Sequence, residues 1–476
     1  MSLIVMKFGG TSVGDAERIR ESARRVAECV PKSEVVTVVS ALAGVTDHIL
    51  KTVTAARQGE QATVEAQLRA LEERHEGVIR ELFVGKEREQ VESRVGAVLR
   101  QLHDFCSALL MLRSSTAQIL DVAAPMGEKM SAQIFVAVLR QMGLNAEYVD
   151  STQVLVTDDH FGDASADMAG TEQKSQAMLL PLVQSGKQPV VTGYAGATAK
   201  GQPTTLGRGG SDSSATILGA AIGCDEVWIW TDVDGVLTAD PRVCPDASTL
   251  PEITFAEAVE LSYYGAKVIH HKAIRPVMDR GIPVWIKNSF RPEVKGTKIT
   301  SKVAGDGSPV KAVTVVKQAS LINLRARQDT PFAELFGRLF LRLGHEHVDV
   351  LFSTQSSSEN ALGLVLRDAD TENVVKLIER LFRVELQHGV IHPIFVQREV
   401  AVICVLGEAM RGTPGILSRL FTAVAARNQS VISVAQGASE LNICFAVNSS
   451  GADEVVKAVH DEFLSSARVP AVEKTV

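Results

Sequence analysis

The apolar positions of the first forty residues change period twice. Leu3 to Phe8 reads as a strand that runs into Gly9-Gly10-Thr11-Ser12. A helical pattern extends from Asp15 to about Val30, and a Val-rich run from Glu34 to Ser40 reads as a second strand. A strand without polar alternation is the kind buried on both faces. Strand, glycine turn, helix and strand open an α/β layered domain. From Asp47 to about Leu120 glycine and proline become sparse and apolar residues recur at helical spacing, which predicts an all-helical excursion.

The alternation then resumes. Strands are expected at Asp121–Pro125, Asn145–Asp150, Pro189–Gly193, Glu226–Thr231 and Pro283–Asn288. Helices are expected at Ser131–Met142, Ser175–Gln184, Ser211–Ile222 and Phe255–Leu261. The stretch Pro292–Pro309, rich in Gly, Pro, Lys and Ser, is the best domain boundary. Beyond it the chain repeats itself. The segment from Val348 through Gln355 to Glu359 is echoed about 80 residues later from Val431 through Gln436 to Glu440. Two copies are too few for a solenoid, which needs about three. The pattern predicts a catalytic-type layered domain over 1–300 with a mostly parallel sheet. Two small ferredoxin-like βαββαβ modules follow, over 311–390 and 397–470.

Composition narrows the picture only at a few points. Aromatics are 5% of the chain, so aliphatic packing must build the cores. A net charge of -7, spread through mixed-sign helices, argues against a nucleic-acid partner, which would need a basic face. The six cysteines form no CxxC pair, which leaves zinc-ribbon and thioredoxin-type motifs unsupported and suggests thiols in a reducing compartment. The N-terminus lacks the basic and apolar regions of a signal peptide, and no run approaches the ~20 apolar residues that span a bilayer. A cytoplasmic protein without a membrane partner is expected.

Several segments carry chemistry. In Lys7-Phe8-Gly9-Gly10-Thr11-Ser12, glycines after a buried strand let backbone N–H groups approach an anion, and Lys7 reaches the same place. A tight turn with a solvated lysine is the plain alternative. Thr205-Leu206-Gly207-Arg208-Gly209-Gly210-Ser211-Asp212 combines three glycines, an arginine suited to fork onto a carboxylate, and a capping pair. Its plain alternative is a flexible loop capped by Ser211 or Asp212. Thr231-Asp232-Val233-Asp234-Gly235 follows an apolar strand, where α/β sheets place ligands. Its aspartates resemble a calcium loop, but the closing glutamate is missing, so a nucleotide-side loop is expected. Ser40 to Asp47 faces the same rim. Glu128 stands at a helix start, where a carboxylate also serves as an N-terminal charge, and Lys267 has the reach of a phosphate ligand. His270 and His271 read as packing or loop residues.

KFGGTS, VSALAGVTD, MGEKMSA, TTLGRGGSD, TDVDGVLTADPRV and GAKVIHHKAI occur in that order. Together they resemble the aspartate kinase family of the amino-acid kinase superfamily over essentially the whole chain. The last two-fifths resemble paired ACT domains, small-molecule sensing modules. The resemblance implies transfer of the γ-phosphate of ATP, with Mg²⁺, to the β-carboxylate of L-aspartate. Lys7, Gly9 and Gly10 would hold the transferring phosphate, with Asp212 orienting them. Ser40, Thr46, Glu128, Arg208 and Ser211 would surround aspartate, Arg208 at its α-carboxylate and Glu128 at its ammonium. Thr231, Asp232, Asp234, Leu237, Arg242, Lys267 and Val268 would line the nucleotide.

Three positions depart from the family pattern. Lys129 stands where arginine is common, Leu237 where tyrosine is common, and His271 where proline usually follows the histidine. Leu237 puts the adenine-side contacts in doubt. Kinases of glutamate, acetylglutamate, carbamate or UMP are the nearest rivals, and a non-catalytic sensor is a rival of another class. The repeats and the helical excursion favour aspartate, and retention of Lys7, Arg208 and Asp212 favours catalysis. Little chain follows the second repeat, so a fused dehydrogenase is not expected. Gln355 and Gln436 occupy matching places and suit the polar ends of a free amino acid, or they cap their turns. Threonine is the favoured effector, lysine the alternative, and a homodimer through the ACT-like modules is the default assembly.

Overall fold

The computed structural model describes residues 1–114, 116–265, 268–303 and 308–465. Two compact units form. The first comprises Met1–Val236, Pro251–Phe255 and Val268–Val303.

The first unit begins with β1 (Ser2–Phe8), α1 (Ala16–Cys29) and β2 (Ser33–Val39). Asp15 accepts from the Arg18 N–H and starts α1, whose Ile19, Ala23 and Val26 are buried. The helical excursion is α2 (Val45–Gln58), α3 (Gln61–Leu82), α4 (Gly85–Leu112) and α5 (Ala117–Ala123), leading into α6 (Met126–Gln141). Then come β3 (Ala146–Val149), β4 (Val156–Thr157), α7 (Met168–Gln184), β5 (Gln188–Thr192), β6 (Ala195–Thr198) and β7 (Pro203–Thr205). The unit continues with α8 (Gly210–Ile222), β8 (Glu226–Thr231) and β9 (Glu252–Thr254). After α9 (Phe255–Tyr263), which runs on into the second unit, it closes with α10 (His271–Met278), β10 (Val284–Asn288) and β11 (Thr297–Thr300).

Its main sheet has the order β3-β5-β2-β1-β8-β10-β11-β9. The first six are parallel to one another, and β11 runs antiparallel to β10. Parallel strands need helical crossovers, and these cover the sheet. One large apolar cluster joins β1 and β2 to α1, α6 and the excursion, through Phe8, Ile19, Ile49, Leu71 and Phe135. A small sheet, β4-β6-β7, carries the chain toward the second glycine loop.

The expected strand at Asp121–Pro125 is instead the end of α5 and the start of α6. Thr116 caps α5 by accepting from Ile119, and a short apolar run does not distinguish strand from helix by periodicity. Helix α6 begins at Met126 and α7 at Met168, both earlier than expected; Asp167 caps α7. The short strands β4, β6, β7, β9 and β11 carry too little apolar pattern to be foreseen, and α10, whose Ala273, Ile274 and Val277 share a buried face, is only eight residues long and contains Pro276. Among the described residues, α4 is long and apolar enough by length and composition to cross a membrane, although Arg100, Gln101, His103 and Asp104 interrupt its apolar run. Its Val91, Val95, Leu102, Cys106 and Leu109 are packed into the same large cluster.

The second unit takes Leu237–Leu250, Ala256–Lys267 and the chain from Ala304 onward. Its first repeat is β12 (Ala312–Arg325), α11 (Phe332–His345), β13 (Val350–Ser356), β14 (Ala361–Arg367), α12 (Asp368–Leu381) and the short α13 (Arg383–Gln387). Its second is β15 (Phe395–Leu406), α14 (Ile416–Ala425), β16 (Ser433–Gln436), β17 (Asn442–Asn448) and α15 (Ala452–Phe463). Each repeat supplies three strands. The long first strands pair with each other, giving one antiparallel sheet in the order β13-β14-β12-β15-β17-β16. The sheet curls until its two edges meet, with Thr354 Oγ1 3.3 Å from Ser433 Oγ. Glu257 of α9 is fully buried, pairs with Lys311 at 3.1 Å and accepts from the Glu408 N–H.

Candidate active site

Parallel register brings the carboxyl ends of four strands to one level. Phe8 stands beside Val39 on one side and Trp230 on the other, and Val39 stands beside Thr192. The residues that follow therefore share one rim: Gly9, Ser40, Gly193 and Thr231. This is where an α/β sheet binds ligands.

Lys7 is the penultimate residue of β1 and is 7% exposed. Its Nζ pairs with Asp212 Oδ1 at 2.5 Å, and Asp212 lies in the first turn of α8. Gly9 donates its N–H to the Trp230 carbonyl at 3.2 Å. A Cβ on Gly9 would stand 3.2 Å from Lys7 Nζ, and one on Gly10 would stand 3.1 Å from the Ala41 carbonyl. The two glycines thus keep this corner open around the lysine.

The second glycine loop is bounded more tightly. Gly207 and Gly209 have φ of +71° and +69°, a region that L side chains avoid. A Cβ on Gly207 would meet Asp163, one on Gly209 would meet His270 at 2.6 Å, and one on Gly210 would meet the Tyr194 ring at 2.5 Å. Gly193 likewise leaves room for Ser211, whose Oγ would be 2.7 Å from an added Cβ. The loop ends on the N-terminus of α8, an anion-favouring place. Arg208 is exposed at its tip.

Glu128, in the first turn of α6, is 3% exposed and its Oε2 has no hydrogen-bond partner. Burial pushes its carboxyl up to about 7, against hydrogen bonds from the Ala41 and Glu128 N–H groups. Neighbouring Ser131 donates to the Ser40 carbonyl at 2.5 Å, which fixes α6 against the Ser40 rim. Thr46 is half-buried at the start of α2. Lys129 pairs with Asp150 at 2.8 Å, so its ammonium serves a structural contact at the place where the family commonly has arginine.

At the end of β8, Thr231 and Asp232 are adjacent, with the Asp232 carboxylate exposed. Asp234 accepts from Asn288 at 2.7 Å and pairs with Arg291 at 2.6 Å. Val268 is half-buried in a turn. His270 lies just before α10, packs against Gly209 and caps the helix by accepting from the Lys272 N–H, and its ring lies 4.3 Å from that of His271.

The sequence-derived set is therefore divided. Lys7, Gly9, Gly10, Ser40, Glu128, Ser211 and Asp212 converge on the rim of the first unit, with Thr231 and Asp232 beside them. Leu237 and Arg242 belong to the second unit, where Arg242 makes a forked pair with Asp240 at 2.7 Å. Lys267 lies outside the described residues. Gln355 and Gln436 are exposed in the second unit at matching positions, paired across β13–β14 with Leu362 and across β16–β17 with Ile443.

Two residues of the site were not anticipated. Tyr194 holds φ of +72°, a strained value for a side-chain-bearing residue, and its backbone N–H donates to the Ser214 hydroxyl at 2.9 Å. Its place just beyond β5 was a readable signal, by the same rim logic that selects Ser40. Asp121 is 2% exposed and accepts from the Gly162 N–H, the Thr205 N–H and the Thr205 hydroxyl, the last at 2.7 Å. It anchors the entry to the second glycine loop. Nothing marked it, because its segment read as a strand.

A model of the amino acid kinase family matches residues 2–288, and an ACT domain model matches residues 403–463. Aspartokinase 2 of Arabidopsis thaliana is 31% identical over 97% of this chain and 84% of its own length. The chain belongs to the aspartokinase family. A bifunctional aspartokinase/homoserine dehydrogenase of Haemophilus influenzae is 29% identical over 98% of the chain, and the chain spans 57% of that protein. The chain thus spans about half the length of the bifunctional aspartokinases it matches. Escherichia coli aspartokinase III in complex with aspartate and ADP superposes with a TM-score of 0.82 at 27% identity, covering 97% of this chain and 99% of that one. The same aspartokinase with lysine and aspartate gives a TM-score of 0.78.

Proposed function

We propose that this chain transfers the γ-phosphoryl group of ATP to the β-carboxylate of L-aspartate, giving 4-phospho-L-aspartate. The reading rests on one juxtaposition: a buried Lys7–Asp212 pair beside two glycine loops, with the unpartnered Oε2 of Glu128 behind the same rim. The aspartate and ADP held by the E. coli relative support it. The acceptor carboxylate is already ionised, so no general base is required. Catalysis is then positioning plus charge stabilisation.

In this reading Lys7, Gly9 and Gly10 meet the transferring phosphoryl group, and Asp212 aims Lys7. Ser40, Thr46, Glu128, Arg208 and Ser211 receive aspartate. Thr231, Asp232, Asp234, Leu237, Arg242, Lys267 and Val268 serve the nucleotide. ATP arrives as its Mg²⁺ complex, in which the cation neutralises charge on the phosphate oxygens. Asp232 is the exposed oxygen donor that fits a hard cation, since Asp212 and Asp234 are engaged by Lys7 and Arg291.

The reaction would open the route to lysine, threonine and methionine in a cytoplasmic homodimer. The catalytic domain would span 1–300, and the regulatory modules 311–390 and 397–470. Gln355 and Gln436 would receive an end-product amino acid, threonine in preference to lysine. The lysine complex of the E. coli relative keeps lysine as the competing effector. Hydroxylamine trapping of acyl phosphate, with aspartate, glutamate and acetylglutamate as acceptors, tests the reaction. Trapping with glutamate alone, or none at all, would overturn it. Gln355→Ala and Gln436→Ala should raise the inhibitory effector concentration about 5–150-fold, the usual range of allosteric coupling, at nearly unchanged uninhibited kcat. Titration with threonine and lysine at fixed aspartate checks this.

A further inference from the structure

Within the second unit, His460 is a buried group with an unmet ring nitrogen. It lies in the last turn of α15 and is 1% exposed. Its Nε2 is 3.0 Å from Thr238 Oγ1, while its Nδ1 is buried without a hydrogen-bond partner. Buried polar atoms of this kind ask for an explanation, an ion among them. Nδ1 faces Asp246 Oδ1 at 3.8 Å, too far for a hydrogen bond. One ligand atom each from Asp246, His460 and Asp461 lies within 4.8 Å of the other two, and both carboxylates are exposed.

The partner of Nε2 is held firmly. Thr238 Oγ1 accepts from the Ser248 N–H at 3.0 Å. The Thr238 N–H donates to the Ser248 carbonyl, and the Val313 N–H donates to the Thr238 carbonyl. With Nε2–H given to the Thr238 hydroxyl, the Nδ1 lone pair is directed at the two carboxylates. A ligating histidine is commonly fixed in this way by a bond at its other nitrogen. Lys457, one turn before Asp461, is paired with Glu454 at 3.5 Å. Cys244 nearby is buried, and the three ligand atoms that cluster come from Asp246, His460 and Asp461.

We propose that Asp246, His460 and Asp461 form a divalent transition-metal site, one that joins the hairpin Leu237–Leu250 to α15. Metal–ligand bonds of about 2.0–2.2 Å allow one ion to span the 3.8 Å gap between His460 and Asp246. Rotation of the exposed Asp461 side chain completes the set, leaving positions for water. Imidazole with carboxylates selects an ion of the zinc or cobalt class over Mg²⁺ or Ca²⁺, which prefer oxygen alone.

The full chain, stripped with chelator and kept free of nucleotide, is titrated with Co²⁺ and then Zn²⁺. One equivalent of Co²⁺ per chain should bind, with ligand-field absorption and no sulfur-to-cobalt band. Zn²⁺ should raise Tm. The double variant Asp246→Asn, Asp461→Asn alters only exposed carboxylates. It should bind at least tenfold more weakly and lose the Tm rise; His460→Gln should do the same. Absence of saturable binding, equal binding by the double variant, a sulfur band, or binding of Mg²⁺ but not Co²⁺ would each overturn the site.

Discussion

The two sides of the rim proposed for catalysis hold their charges differently. On the phosphate side Lys7 and Asp212 neutralise each other at 2.5 Å within the protein. On the acceptor side Glu128 is buried with an unpartnered oxygen, and Arg208 stands exposed at the tip of its loop. The first arrangement is complete without a ligand. In the proposed reaction the second is completed by a ligand that brings an ammonium to Glu128 and a carboxylate to Arg208. An amino acid supplies both. In that reading a ligand without an ammonium leaves the buried Glu128 oxygen unmet, which disfavours it.

The largest effect should come from the self-neutralised side. Lys7→Met removes a contact to charge that develops in the transition state, and kcat should fall about 10²–10³-fold in a normally folded protein. Steady-state kinetics with a circular-dichroism control measures it; near wild-type turnover would break the comparison. Arg208→Lys keeps the charge but loses the fork. KM for aspartate should rise about 10–100-fold with little change in KM for ATP, as expected for a lost charged hydrogen bond. A rise confined to ATP would move Arg208 to the phosphate side.

Glu128 gives a pH signature. Its folded pKa, about 7, lies above the ordinary carboxylate value, so the neutral form is favoured in the ligand-free protein. Binding an ammonium needs the ionised form. Accordingly kcat/KM for aspartate should drop about tenfold per unit below pH 7, and Glu128→Gln should flatten that limb. For stability the sign is opposite. The group's contribution is present at low pH and is lost as pH rises from the ordinary value through 7. Glu128→Gln should therefore stabilise the ligand-free protein above pH 7 by about 2–3 kcal/mol, read from denaturant curves at pH 5 and 8. Equal curves at both pH values would place Glu128 among ordinary solvated carboxylates.

The smallest effect concerns the shared frame. Asp121→Asn preserves shape but weakens charge-assisted bonds to Gly162 and Thr205. A stability loss of about 1–3 kcal/mol is expected, with only a few-fold change in aspartate KM. Thermal unfolding and kinetics on the same preparation check it.

The legibility of these parts differs for physical reasons. Lys7, Ser40, Thr231 and the loop Gly207–Asp212 follow or end long buried strands or open a helix, so local sequence placed them. Asp121 is informative only through partners 41 and 84 residues away, which no window contains. The layered domain was readable from alternating strands and helices, whereas two- to four-residue strands such as Val156–Thr157 have no period to read. The repeat was visible in Gln355 and Gln436. That its two copies share one sheet was not, because β12–β15 pairing depends on two segments about eighty residues apart.

The second glycine loop constrains how this protein can change. Gly207, Gly209 and Gly210 are each enclosed by a different segment: Asp163, His270 and Tyr194. A library that randomises the loop alone should return almost only glycine at these three places. Variants with side chains there become reachable when the enclosing residue shrinks in the same clone, as with Gly210→Ala beside Tyr194→Gly. Gly207 and Gly209 also hold positive φ, so for them the paired change relieves the collision but not the backbone cost. Of the three, Gly210 is therefore the position through which a directed-evolution path toward altered acceptors should run.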